Sequence, residues 1–233
     1  MSPRLHPGGL RAVALAAAAL ALLGAATVRA ADKPPVPRAQ ANKQLSPAQR
    51  LAHRVHGALE QARQGQVEAA IAGLRDIVQD HPAHHDSRLL LANLLAGRGA
   101  GPQAQAVLLE GLALEPGHAN LRMQLARLQV QAGQHVAALE TLEAGPAAAY
   151  PADYRAFHAV LLQAGGQHDR AVTQYAAALK EQPHRAQWLV GIAVSLRALG
   201  MTQPAREALE RARLAPDFNR QLADVVAQYG VMP

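Results

Sequence analysis

Apolar side chains recur along most of the chain at helical spacing, and a single glycine breaks the pattern at regular intervals. The glycines stand at 65, 99, 133, 166 and 200, so a break comes every 33 or 34 residues. Seven residues before each is an alanine (Ala58, Ala92, Ala126, Ala159, Ala193), and five residues after it is another (Ala70, Ala104, Ala138, Ala171, Ala205). Nine residues after it comes a bulky apolar side chain: Leu74, Leu108, Leu142, Tyr175 or Leu209. Proline closes the units at Pro82, Pro116, Pro151, Pro183 and Pro216. Each unit therefore predicts helix, turn, helix, turn. The glycine supplies the left-handed backbone that ends the first helix without a Cβ clash. The alanines mark close helix crossings, where a larger side chain would hold the backbones apart. The proline cannot continue the second helix and biases the residue before it toward extended geometry.

A unit of this size cannot bury a core of its own and must stack on copies of itself. Unit two is the clearest, with Leu91, Ala92, Leu95, Gly99, Ala104, Leu108, Leu112 and Pro116 in register. Unit three departs from the pattern. Gly145-Pro146 falls where its second helix should continue, which predicts an end near Ala144 and a loop over 147–151. Pro102 and Pro204 stand near the starts of second helices, where a first-turn proline is tolerated. After the last unit, Asp217 to Tyr229 predicts one more helix, with Phe218, Leu222, Val225, Val226 and Tyr229 on one face. Such a helix covers the open end of a stacked array.

These residues resemble the tetratricopeptide repeat over about Leu51 to Asp217. The resemblance implies an all-α fold: a right-handed superhelical solenoid of about five helix-turn-helix repeats with a C-terminal capping helix. It also implies a non-catalytic scaffold for protein–protein interaction. The second half is similar to the repeat region of pilus biogenesis proteins of the mannose-sensitive haemagglutinin type. Gly145-Pro146, the Tyr154–Gln163 helix, Gln187-Trp188 with Gly191-Ile192-Ala193, and the helix after Leu214 carry that likeness. It implies work in pilus or envelope-complex biogenesis. The alternative is an accessory subunit of an exported enzyme or of a polysaccharide or protein secretion complex.

In the family, first helices line a concave face that takes a protein or peptide partner. Carried onto this chain, the groove comprises Asn93, Asn120, Met123, Arg127, Val130, Asp153, Val160, Gln163, Gln187, Val190, Val194 and Arg197. Arg127 and Arg197 are expected to face one surface, with Met123 adapting to an apolar partner segment that bears an acidic side chain. The lysine–asparagine set with which some chaperone-binding members clamp a C-terminal carboxylate is missing. Tyr150, Tyr154, Phe157, Tyr175 and Trp188 crowd into residues 150–188, either as packing of unit four or as an anchor on the binding face.

Composition narrows the picture further. Four threonines and three isoleucines leave little strand material, and with aromatics at 3% the core must be alanine and leucine. The absence of cysteine rules out disulfides and thiolate metal sites. Arg4 and Arg11, the apolar run Ala12 to Leu23 and Val28-Arg29-Ala30 predict a secretory signal peptide over 1–30, cleaved after Ala30. An uncleaved membrane anchor is the other reading, since Ala12 to Val28 reaches the bottom of the spanning range. Either one places the repeats in the periplasm. A proline-rich linker follows over 31–45, with Pro34, Pro35 and Pro37, then the solenoid over 46–216 and the capping helix over 217–229. Ser46, Pro47 and Gln49 form a capping box at the first helix.

Loss of the first 30 residues removes three arginines and no acid, lowering the net charge from +6 to +3. The remaining basic residues are scattered, which argues against nucleic acid. His81, His84 and His85 sit in one turn, and His53 and His56 lie three apart on a helix. With no further ligand at helical spacing they read as solvated histidines, so no metal or cofactor is expected. Gly97-Arg98-Gly99-Ala100-Gly101 resembles a phosphate loop, but it follows a helix at the ordinary inter-helix turn. Beyond the leader only Ser46, Ser87 and Ser195 remain as serines, and none has an acid–base pair beside it, so no enzymatic role is expected. Ala126→Leu or Ala159→Leu should cost about 1–3 kcal/mol by overpacking a helix crossing. Thermal denaturation indistinguishable from the parent would show this repeat register to be wrong.

Overall fold

The computed structural model describes residues 45–145 and 150–230. The expected leader over 1–30 and nearly all of the expected linker lie outside them, as does most of the loop expected after Gly145. Eleven helices and no strand occur among the described residues: α1 Pro47–Arg63, α2 Val67–Asp80, α3 His85–Gly97, α4 Gly101–Leu114, α5 Ala119–Gln131, α6 His135–Glu143, α7 Ala152–Ala164, α8 His168–Glu181, α9 Ala186–Ala198, α10 Thr202–Arg213 and α11 Arg220–Gly230. Consecutive helices pack in chain order as a solenoid of five pairs, and α11 closes the end against α9 and α10.

The five unit glycines all take positive φ, from +73° at Gly166 to +80° at Gly65. In each turn the next residue's N–H reaches back to a carbonyl on the first helix, as in Gln66 to Gln61 at 2.8 Å and Met201 to Leu196 at 2.9 Å. This six-residue return closes the helix end and aims the chain into the second helix. At the entry to α1 the capping box is formed, with Gln49 N–H donating to Ser46 Oγ and Ser46 N–H to Gln49 Oε1. The ten periodic alanines are all 0–4% exposed, so each lies at a helix crossing. Leu74, Leu108, Leu142 and Tyr175 fill the space between them.

A second period runs beneath the apolar one. Arg54, Arg88, Arg122 and Arg155 each stand eleven residues before a unit glycine. Each lies on a first helix and reaches the second helix of its own unit. Arg88 Nε donates to the Pro82 carbonyl at 3.0 Å, and its NH1 lies 3.3 Å from Glu110. Arg122 Nε donates to the Pro116 carbonyl at 2.8 Å, and its NH1 and NH2 donate to Thr141 and Ala144 carbonyls at 2.9 and 3.2 Å. Those carbonyls end α6 and have no intrahelical partner, so a cation there is favoured twice over. How deeply each arginine sinks follows the residue twelve after the glycine. Gly111 and Gly145 leave room for Arg88 and Arg122, which are 4% and 7% exposed; a Cβ at Gly111 would stand 2.9 Å from Arg88 Cδ. Ala178 stands at that place beside Arg155 and Ile77 beside Arg54, where the side chains are 21% and 38% exposed.

Unit three is interrupted as its Gly145-Pro146 pair requires: α6 has nine residues, against 14 in α2, α4 and α8. Tyr150 and Tyr154 stack at 3.9 Å near its end, and the Tyr154 hydroxyl donates to the Leu142 carbonyl at 2.7 Å. The last helix begins at Arg220, three residues later than the pattern predicts. Asn219 caps it by accepting from Leu222 N–H at 3.1 Å, while Asp217 turns back to accept from Ala186 N–H at the start of α9.

Two of the three histidines of the 81–85 turn, His84 and His85, are not solvated, and His118 repeats the role of His84 one unit on. His84 caps α3 by accepting from Ser87 N–H, and His118 caps α5 by accepting from Leu121 N–H, each at 3.3 Å. His85 is buried edge-on against His118 with centroids 4.7 Å apart, its Nε2 3.0 Å from Glu115. The short turn delivers the chain directly into a helix start that needs an acceptor, and the imidazole supplies it.

Arg122→Gln leaves buried carbonyls without donors and should cost about 2–3 kcal/mol. The matching Arg54→Gln, in an exposed pair, should cost about 1 kcal/mol or less. Equal losses on urea denaturation would show that burial of the guanidinium adds nothing.

Candidate functional site

First helices α5, α7 and α9 bring one face together into a cleft of about 350 Å³. On α7, Asp153, Ala156, Phe157 and Val160 follow the i, i+3, i+4, i+7 spacing of one helical stripe, and all four line the cleft. Met123 and Arg127 come from α5, Gln187 and Trp188 from α9, and Arg185 from the residue that precedes α9. Tyr175 enters from α8, a second helix. It can do so because Gly191 has no side chain: a Cβ there would stand 2.4 Å from Tyr175 Cζ. The tyrosine occupies the position that leucine fills in the other units, and its longer ring reaches the concave side.

Five of the expected groove residues thus meet in the cleft: Met123, Arg127, Asp153, Val160 and Gln187. Asn93 and Asn120 are exposed further along the first helices, where the Asn93 carbonyl oxygen accepts from the Gln124 amide at 2.6 Å. Val130 is half-buried, as is Gln163, which accepts from the Tyr175 hydroxyl at 3.1 Å and so holds the cleft floor rather than its surface. Val194 and Arg197 are half-buried on α9 and do not line the cleft. Val190 was expected on the groove surface and is instead 5% exposed, packed with Trp188 and Leu189 in the core that α7 to α11 share. The extra helix at the solenoid end buries more of α9 than a repeat template provides for.

The second arginine of the cleft is Arg185, not Arg197. The Arg127 guanidinium lies 5.5 Å from the Phe157 ring centroid, with one nitrogen 3.7 Å from Met123 Sδ. The Arg185 guanidinium lies 5.0 Å from the Trp188 ring centroid, and its Nε is 3.8 Å from Asp217. Each cation lies over an aromatic ring, whose negative face attracts it and restrains its position. The exposed Val160 and the flank of Met123 add apolar surface, and Asp153 places one carboxylate at the rim. Burial pushes the Tyr175 phenol well above its ordinary range, so it remains a neutral donor to Gln163. The aromatic cluster divides in two. Phe157, Tyr175 and Trp188 belong to the cleft, whereas Tyr150 and Tyr154 pack behind α6. Arg185 escaped the sequence reading because it precedes its helix, where the family pattern assigns no groove position.

The opposite stripe of α7 carries His158, 8% exposed, with Nε2 3.6 Å from Glu143. Burial lowers its pKa from the ordinary 6.5, outweighing the pull of Glu143 in the other direction. The Ser195 hydroxyl is buried without a hydrogen-bond partner, and no acid–base pair adjoins it. Among the described residues no three His, Asp or Glu side chains are grouped to hold a metal ion.

The model of a family described as a tetratricopeptide repeat-like domain matches residues 14–201. Among solved structures, MamA superposes with a TM-score of 0.59 at 17% identity, over 78% of this chain and 97% of MamA. MamA of Desulfovibrio magneticus RS-1, taken from residue 41 to its end, gives 0.58 at 18% identity, over 70% of this chain and 93% of its own. YrrB, a tetratricopeptide-repeat protein described as having an unusual peptide-binding site, gives 0.59 at 19%, over 75% of this chain and 90% of YrrB. At these identities the likeness is one of fold. No curated protein matches the chain significantly.

The unfolded chain takes up a proton at His158 near pH 6.5, and the folded protein resists it to lower pH. The stability held by the neutral ring is complete above that pH and is lost as pH falls through it. Melting temperature should therefore drop from about pH 7.5 to about pH 5.5, and His158→Gln should flatten part of that drop. An identical pH profile in the variant would rule His158 out as its source.

Proposed function

The chain belongs to the tetratricopeptide repeat-like family, and on that premise we propose that it is a non-catalytic scaffold holding a protein segment in the cleft of α5, α7 and α9. The observation that carries this reading is the pair of guanidiniums, Arg127 and Arg185, each fixed on an aromatic face beside the exposed Val160. Immobilised cations next to apolar surface suit an apolar partner segment with an acidic side chain, because little side-chain entropy is lost when the carboxylate arrives. The single carboxylate at the rim, Asp153, disfavours an indiscriminately acidic partner and sets its direction. YrrB, a neighbour in fold, is described as having a peptide-binding site. The same reading takes the scaffold to the bacterial periplasm, in pilus or envelope-complex biogenesis. It rests on the leader-like residues 1–30 and the likeness of the second half to pilus biogenesis repeats.

Affinity capture from an envelope extract tests both parts. The parent should retain a partner that Arg127→Glu combined with Arg185→Gln loses by tenfold or more, with helicity and melting temperature nearly unchanged. Equal retention by the double variant would place recognition elsewhere. Mass spectrometry of the exported form should give Ala31 as the first residue. A full-length chain in the membrane fraction would favour the anchor, and one in the cytosol would overturn the export reading.

A further inference from the structure

The first helices α3, α5, α7 and α9 have their N-caps at one register, fifteen residues before the unit glycine: His84, His118, Pro151 and Arg185. At α3 and α5 the imidazole supplies the acceptor that its own helix start needs. At α9 the side chain is a guanidinium, which only donates. The Arg185 carbonyl accepts from Trp188 and Leu189 N–H at 3.1 and 3.0 Å, so the Ala186 N–H has no partner within its helix. Ala186 is 0% exposed, and a donor buried there is costly to leave unpaired. Its acceptor comes from 31 residues further along the chain: Asp217 Oδ1 takes that N–H at 2.9 Å. The other oxygen of the same carboxylate lies 3.8 Å from Arg185 Nε, beyond hydrogen-bond reach but close enough to attract the cation. The turn ahead of Arg185 is braced from the same end of the solenoid, where Arg211 donates to the Pro183 carbonyl at 3.3 Å.

We propose that Asp217 is a positioning residue of the concave cleft: from the link between α10 and α11 it holds Arg185 over Trp188. The inference rests on reading that cleft as the site of a partner's acidic side chain. Two contacts of one carboxylate carry it. Oδ1 fixes the backbone where α9 begins, and both Arg185 and Trp188 project from that first turn. Oδ2 stands beside Nε, so swinging the guanidinium off the indole ring would also part opposite charges. Capping from outside is what opens this register to an arginine. At 84 and 118 the side chain is spent on its own helix start, whereas at 185 it is left to line the cleft. Asp217 is not among the residues that line the cleft, so it acts through Arg185. Two variants separate its two contacts: asparagine keeps an acceptor oxygen and gives up the charge, and alanine gives up both.

Trp188 is the only tryptophan of the chain, so its fluorescence reports on the guanidinium that covers it without any partner present. Acrylamide quenching of the full chain should rise about twofold or more in Asp217→Ala and stay near the parent in Asp217→Asn. His84→Ala removes a cap of the same kind outside the cleft; it should lower the melting temperature and leave the quenching unchanged. The second readout is the affinity of an acetylated, amidated Leu-Leu-Glu-Leu-Leu peptide. Asp217→Ala should weaken it about fivefold or more, Asp217→Asn by less than about twofold, and His84→Ala not at all. In an Arg185→Gln background Asp217→Ala should weaken the peptide no further, because its effect passes through Arg185. Quenching unchanged in Asp217→Ala, quenching raised equally by His84→Ala, or a further loss of affinity in the Arg185→Gln background would overturn the proposal. A peptide that the parent binds no better than its Leu-Leu-Gln-Leu-Leu counterpart would instead overturn the acid-binding reading of the cleft, and the quenching pattern then decides whether Asp217 holds Arg185.

Discussion

The distance at which helices cross controls the rest of this molecule. Ten periodic alanines keep the helices of each pair close, and all ten are sealed from solvent. With so few large side chains, dense packing depends on backbones that approach closely rather than on bulky knobs. The close approach also brings the first helix of a unit near enough for its arginine to reach the carbonyls that end the second. The buried guanidiniums of Arg88 and Arg122 are therefore consequences of alanine spacing and of the glycines at 111 and 145. An arginine without that glycine, as at Arg54 beside Ile77, stays nearer the surface.

The same spacing explains where function is placed. A regular stack offers a smooth concave face with little to distinguish one unit from the next. The joint between units four and five breaks the regularity by two sizes: tyrosine in place of leucine at 175 on α8, and glycine at 191 on α9. The exchange conserves packing between α8 and α9 while moving an aromatic edge to the concave side. Arg127 and Arg185 then have rings to lie on, and the cleft acquires fixed charge where the other units present exposed amides such as Asn93 and Asn120.

What could be read from the sequence follows from which interactions are local and repeated. The glycine turns, the crossing alanines, the capping box at Ser46 and the early end of α6 each depend on residues within one unit, and all are legible there. The arginine series has the same period and is open to the same reading, but counting charge by its sum and scatter passes over it. Other features depend on contacts between units or with the terminal helix. Asp217 reaches back to α9, Val190 is covered because α11 shares its core, and Arg185 enters the cleft from a turn. No spacing within a single repeat encodes these. The histidines 84 and 118 fall between the two cases: their 34-residue separation is plain, but capping by imidazole is not among the common helix-start chemistries.

The short α6 has a mechanical meaning as well. Stability in a stacked array is a sum of units and the joints between them, so the weakest joint decides how the array divides. One apolar cluster holds α1 to α5 together and another holds α7 to α11, with a smaller set around Tyr150 and Tyr154 between them. A pull applied at the two ends would concentrate its strain where α6 lacks its final turns. The joint between the two larger clusters is held by a smaller apolar set than either of them, and α7, which lines the concave cleft, is the first helix beyond it.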